Sequence, residues 1–157
     1  MKKLLVVTLS AVIFSLGLHA QSNKEEIEFF QSVFGMEKKA IVAEFVQAEG
    51  EPGEAFWTLY DQYETERKEL GLNRLDLINE YATNYNTLSN EKMDELVTRM
   101  IKQKSSTDKL VNKYYKKIKS ASGSKVAAQF FQIENYFISA IRLSIYENIP
   151  FIGELED

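Results

Sequence analysis

Apolar residues recur along this chain at steps of three and four, in four stretches separated by clusters of Gly, Pro, Ser and Asn. That period belongs to helices with one buried face, and no alternating strand pattern of useful length interrupts it. Ser22 and Glu25 have capping-box spacing, so a first helix starts near Asn23. Its apolar side carries Ile27, Phe30, Phe34, Ile41 and Phe45, with Val42 beside them. Gly50-Glu51-Pro52-Gly53 breaks the pattern. A second helix is expected from about 54 to about 85. A third spans about 90 to 119, with Ser89 as its N-cap. The fourth runs from about 125 to 148 and stops before Pro150, which disfavours helix at Ile149. Ser120 to Ser124 forms the last break. The expected fold is all-α: an elongated four-helix hairpin or open bundle of long antiparallel helices. The two longest, of about 30 residues, each extend roughly 45 Å.

Charged residues sit inside three of these apolar stripes. On the second helix Phe56, Tyr60, Tyr63, Arg67, Leu70, Arg74, Ile78, Tyr81 and Tyr85 follow one another at helical spacing, so two arginines share the line of the rings. On the third, Met93, Val97, Met100, Val111, Tyr115 and Ile118 define the stripe, and Lys104, Thr107 and Asp108 interrupt it. On the fourth, Glu134 lies between a flank of Val126, Phe130, Ile133, Phe137 and Ile141 and another of Ala127, Phe131 and Ile138.

Folding the second and third helices back at Thr87 to Ser89 puts Arg74 opposite Lys104 and Arg67 opposite Val111, with Asp108 between the two arginine levels. Turning the third and fourth at Ser120 to Gly123 puts Glu134 opposite Leu110, the height of Arg67. A buried carboxylate needs a partner, and a guanidinium fork takes both its oxygens. The expected structural polar layer is therefore Arg67 with Glu134 and Arg74 with Asp108, with Tyr63 or Tyr115 supplying a hydroxyl. The competing reading makes Glu134 a general acid or base with its pKa raised by apolar neighbours. Nearby arginine opposes that shift, and Asp108 is the single second carboxylate on offer. The protein is read as a non-enzyme.

Composition narrows the chemistry further. The 157-residue chain has no Cys and one His, His19. Lys2 and Lys3, an apolar run from Leu4 to Leu18, and Leu18-His19-Ala20 before Gln21 read as a secretory signal over residues 1–20. The apolar run is short for a membrane span, which needs about 20 residues. Removing that segment removes the His, leaving no usual ligand set for tetrahedral zinc, no Ser-His-Asp triad and no Cys-His dyad. Met36, Met93 and Met100 are too sparse for a methionine-lined metal site and are read as core. No cofactor is expected. An exported chain without disulfides must be held by its core, here a single domain over 21–150, followed by an acidic tail over 151–157.

The net charge of −4 conceals a segregation. From Lys24 to Leu96 there are 17 acidic and 7 basic residues, a net of −10; from Val97 to Arg142 there are 10 basic and 2 acidic, a net of +8. An acidic helix packing beside a basic one accounts for this, as does a basic surface that attracts acidic or unfolded polypeptides. The surface candidates are Lys102, Lys109, Lys113 and Lys116, with Tyr114 as the ring exposed beside them. Glu64, Glu66 and Glu69 read as a charged outer face. Nucleic acid is not an expected partner.

The long helices entered through "TLSNEKMDEL" and "ASGSKVAAQFFQIE" resemble those of the Spy/CpxP-type periplasmic proteins, which carry two LTxxQ-like helix starts. Leu88-Ser89-Asn90-Glu91-Lys92 corresponds to the first, with Ser for Thr and Lys for Gln. The counterpart around Ser122 to Lys125 lacks the Leu-Thr pair. The resemblance spans residues 53–150. It implies a periplasmic or secreted, ATP-independent chaperone or envelope-stress protein, a homodimer shaped as a cradle, with polypeptide clients. The reading from another class is a structural or adaptor protein whose basic third helix docks one specific protein partner.

Overall fold

The computed structural model describes the backbone of residues 24–151 and the side chains of residues 35–151. The expected signal segment and most of the acidic tail lie outside the described residues, as does the Ser22 cap. Within them the fold is all-α, with four helices and no strand: α1 (Lys24–Phe45), α2 (Gly50–Asn84), α3 (Asn90–Ser122) and α4 (Ser124–Tyr146), with a 3₁₀ turn at Tyr85–Thr87. The 35 residues of α2 and the 33 of α3 make these the two long helices. They form the most extensive contact in the bundle, α3 and α4 the next, and α1 packs on α2 and α4.

The boundaries follow local chemistry. Ser89 caps α3 by accepting a hydrogen bond from the Lys92 amide, at 3.3 Å. The break between α3 and α4 narrows to Gly123, whose φ of +89° closes the turn with hardly any linker. The GEPG segment, expected as a loop, is instead the first turn of α2. Pro52 stands where a helix leaves its amides unbonded, so the ring displaces nothing. Gly53 is needed for close approach, because a Cβ there would sit 2.5 Å from the Ala48 carbonyl oxygen.

The hairpin register is the expected one. Lys113 of α3 reaches Glu66 of α2, and Arg99 reaches Glu80. The continuous core lies at one half of the bundle. Val42 and Val46, Phe56, Tyr60 and Tyr63, Leu110, Val111, Tyr114 and Ile118, and Phe130, Ile133 and Phe137 bring all four helices together there. The other half, made from the end of α2, the start of α3 and the end of α4, is more open. Leu77 and Leu96 are buried in it, but Val97 and Met100, expected on the inner stripe, are 46% and 44% exposed.

Candidate functional site

Two regions bring charge and rings together, and they are built differently. The first is a sealed cluster at the centre of the core. Lys38 of α1 extends its Nζ to 2.7 Å from both Glu64 Oε1 and Glu134 Oε2. Tyr63 donates its hydroxyl to Glu134 Oε2 at 2.7 Å, and the Tyr60 hydroxyl stands 3.5 Å from Oε1. Arg67 lays its fork on Glu64, Nε to Oε1 and Nη2 to Oε2, each at 2.9 Å. The ammonium also lies 5.2 Å from the centre of the Tyr63 ring and 5.5 Å from that of Phe137. Glu134 is fully buried and Lys38 is 2% exposed.

Two cations and two carboxylates balance in this layer, so no net charge is buried. Burial works against the charge of Glu64, but Lys38 and Arg67 prevail and hold its carboxyl below the ordinary value. Burial, followed by the charge of Glu134, pushes the Tyr63 hydroxyl well above its usual range; Tyr60 moves the same way for the same causes. Burial also acts against Arg67, but Glu64 reverses the effect and raises it. Tyr63 is thus a fixed donor to a carboxylate, and the layer has the makings of a structural lock.

The expected heights are met and the expected partners change. Arg67 and Glu134 do share one level, yet Glu134 takes its close ion pair from Lys38, and Arg67 takes Glu64. The reason is proximity on α2: Glu64 precedes Arg67 by three residues and reaches it first. Glu64 therefore belongs to the core and not to the outer face. Lys38 carries a sequence signal of its place in the core, since it is spaced four residues from Phe34 and four from Val42, on the apolar line of α1. Of the two hydroxyls considered, Tyr63 serves and Tyr115 packs edge-on against Phe131.

The second pair also re-sorts. Asp108 lies 3.6 Å from Arg142 of α4, while Arg74 makes no hydrogen bond or ion pair among the described residues. Tyr114, expected as an exposed ring, is 1% exposed. Its hydroxyl donates to Glu66 at 2.7 Å; burial and that carboxylate push its pKa up to about 12. Lys113 grips the same Glu66 at 2.7 Å. Lys102, Lys109 and Lys116 remain on the solvent side of α3.

The second region is an open groove of about 590 Å³ in the looser half of the bundle. Leu77, Ile78, Leu96, Met100, Ile145 and Phe151 are among its apolar walls. Tyr81 donates to the Pro150 carbonyl at 2.7 Å and ties the chain beyond α4 across the groove end, where Tyr146 and Phe151 stack. Arg74, Lys104 and Arg142 line it too, and among the described residues no Asp or Glu does. Burial, then the like charge of Arg142, lowers the pKa of Arg74. No group of three or more metal-ligating side chains occurs among the described residues, and no described helix is long and apolar enough to cross a membrane. No protein-family model, curated protein or solved structure matches the chain.

Proposed function

We propose that the protein is an exported, ATP-independent binding protein that shields apolar segments of unfolded polypeptides in this groove. One observation carries the reading. Val97, Met100, Ile101, Tyr146 and Phe151 line or rim the groove while exposed, Ile101 by 65% and Phe151 by 63%. Contiguous exposed apolar surface of this kind marks a binding site more often than a folding by-product. Export rests on the N-terminal pattern from Lys2 to Ala20, and the chaperone class on the Spy/CpxP-like helix start at Leu88 to Lys92. In this reading Glu134 has no catalytic role, because its oxygens are already engaged in a layer closed to solvent.

The test is suppression of aggregation of several unrelated unfolded proteins at stoichiometric amounts. Ile101→Asp, an exposed change that leaves the core intact, is expected to abolish suppression. Failure of the unaltered protein with every client defeats the reading. Sedimentation velocity tests the dimer that the family resemblance implies.

A second reading is favoured by Lys102, Lys109 and Lys116, which are exposed and make no ion pair among the described residues. In that case the basic face of α3 docks one acidic protein partner. Binding to that partner would weaken steeply with salt, and a triple Lys→Gln variant would lose it while still suppressing aggregation.

A further inference from the structure

The groove has a polarity that the shielding of apolar segments does not require. Arg74 on α2, Lys104 and Thr107 on α3 and Arg142 on α4 lie at one height, toward the middle of the bundle. From there the walls become apolar toward the hairpin end, through Ile78, Leu96, Met93 and Leu88. Leu88 lies fourteen positions beyond Arg74 along α2 and its turn, roughly 20 Å of helix length. One end is cationic and the remainder is hydrocarbon-like.

Among the described residues, the cationic end meets a single acid, and only loosely. Arg74 is half-buried and has no carboxylate partner among the described residues, while Arg142 meets Asp108 only at 3.6 Å, beyond a good hydrogen bond. Taking a guanidinium out of water without a partner is costly, and a forked donor is best satisfied by a carboxylate. In the sealed cluster a carboxylate stands within 2.9 Å of each cation; in the groove, among the described residues, the nearest is Asp108, 3.6 Å from Arg142.

The walls also restrict the ligand's body. They are almost entirely helix, whose amides and carbonyls are spent within the helix itself. A polypeptide backbone lying inside would leave its own amides without partners, whereas an alkyl chain has none to satisfy. Polypeptide side chains can enter from the rim with their backbone still in water, but a ligand contained within the groove must be mostly hydrocarbon. The volume suits a single small molecule.

We propose that the groove is a binding site for a long-chain carboxylate, with Arg74 and Arg142 holding the head and the alkyl chain lying along α2 and α3 toward Leu88. This goes beyond polypeptide shielding and stands without it, because aggregation suppression and carboxylate binding are measured separately.

The test is calorimetric titration of the protein with dodecanoate below its micelle concentration, alongside dodecyltrimethylammonium and dodecyl phosphate. Dodecanoate is expected to bind one to one and the cationic amphiphile not to bind. Arg74→Gln and Arg142→Gln, each checked for unchanged helicity, are expected to weaken dodecanoate about ten- to a hundredfold, the worth of a charged hydrogen bond. Methionine-methyl NMR locates the ligand: Met93 and Met100 line the groove and should shift, and Met36 on α1 should not. Equal binding of the cation, no effect of both arginine variants, or a shift at Met36 alone overturns the proposal. Tighter binding of dodecyl phosphate than dodecanoate overturns the carboxylate assignment in favour of a phosphate-headed lipid.

Discussion

Arg67 and Arg74 stand two turns apart on the same face of α2, and their surroundings are opposites. Arg67 is forked onto Glu64, which shares Lys38 with Glu134, so every charge at that level has a counter-charge within 2.9 Å. Arg74 faces apolar walls and another guanidinium. The first level is where α1 joins α2, α3 and α4 and supplies Lys38. The second is lined by α2, α3, α4 and the segment after them, and by no described side chain of α1. A charge inside a helical stripe therefore has no fixed meaning. The number of elements around it, and the acids they carry, decide whether it locks the fold or awaits a ligand.

The sharpest way to break that contrast is to remove the lysine. Lys38→Met leaves Glu64 and Glu134 facing each other with one cation between them, and unfolding by denaturant is expected to show a loss of about 3–5 kcal/mol. Replacing the pair together, Lys38→Met with Glu134→Leu, should recover most of that loss, since an apolar pair of similar volume is often neutral or better. A double variant no more stable than Lys38→Met would show that the layer is not an isolated ion pair.

A smaller effect is expected from Tyr63→Phe, about 1–3 kcal/mol, because Glu134 Oε2 loses a donor inside the core. The variant should also flatten the alkaline limb of the stability profile. With the Tyr63 pKa raised in the folded state, its contribution is complete below the ordinary tyrosine value near 10 and is lost as pH rises beyond it.

Acid tests the other side of the same layer. Glu64 titrates below its ordinary value of 4.5 when folded, so its contribution is present above that value and is lost as pH falls through the lowered one. Glu64→Gln should lower stability at neutral pH and make the decline below about pH 4.5 shallower. An unchanged acid limb would remove Glu64 from the lock.

At the other level the expectation reverses. Arg74→Leu should leave stability unchanged or raise it by up to about 1 kcal/mol, since it removes a half-buried charge that has no acid beside it among the described residues. A loss as large as that of Lys38→Met would erase the distinction between the two levels. The exposed Lys113 offers the smallest effect: Lys113→Ala should cost at most about 1 kcal/mol, the range for surface ion pairs.

Much of this arrangement could be read from one dimension. The helical period, the Ser89 cap, the break between Ser120 and Ser124 and the hairpin register all follow from local spacing and backbone chemistry. So does the shared height of Arg67 and Glu134, because two helices joined by a short turn have little choice of alignment. The misread positions have specific causes. Tyr114 and Tyr115 are neighbours separated by about 100° on the helix, and a small rotation of α3 selects which one is buried. The same rotation brings Leu96 inward and leaves Val97 exposed. On α1 the inward line runs through Lys38, Val42 and Val46, one position away from Ile41 and Phe45, and a lysine on it looks like a surface residue until acids are found facing it.

By itself the sequence determined that the chain is helical, where α2 turns into α3 and α3 into α4, and that charge would enter the apolar stripes. Which charges meet was decided only by the tertiary structure, because an ion pair depends on side chains from distant helices arriving within 3 Å, a distance shorter than the roughly 5 Å of one helical turn. The groove belongs to the same class of feature. Leu88, Ile101 and Phe151 are ordinary apolar residues along the chain, and they form a site only where the packed helices leave space between them.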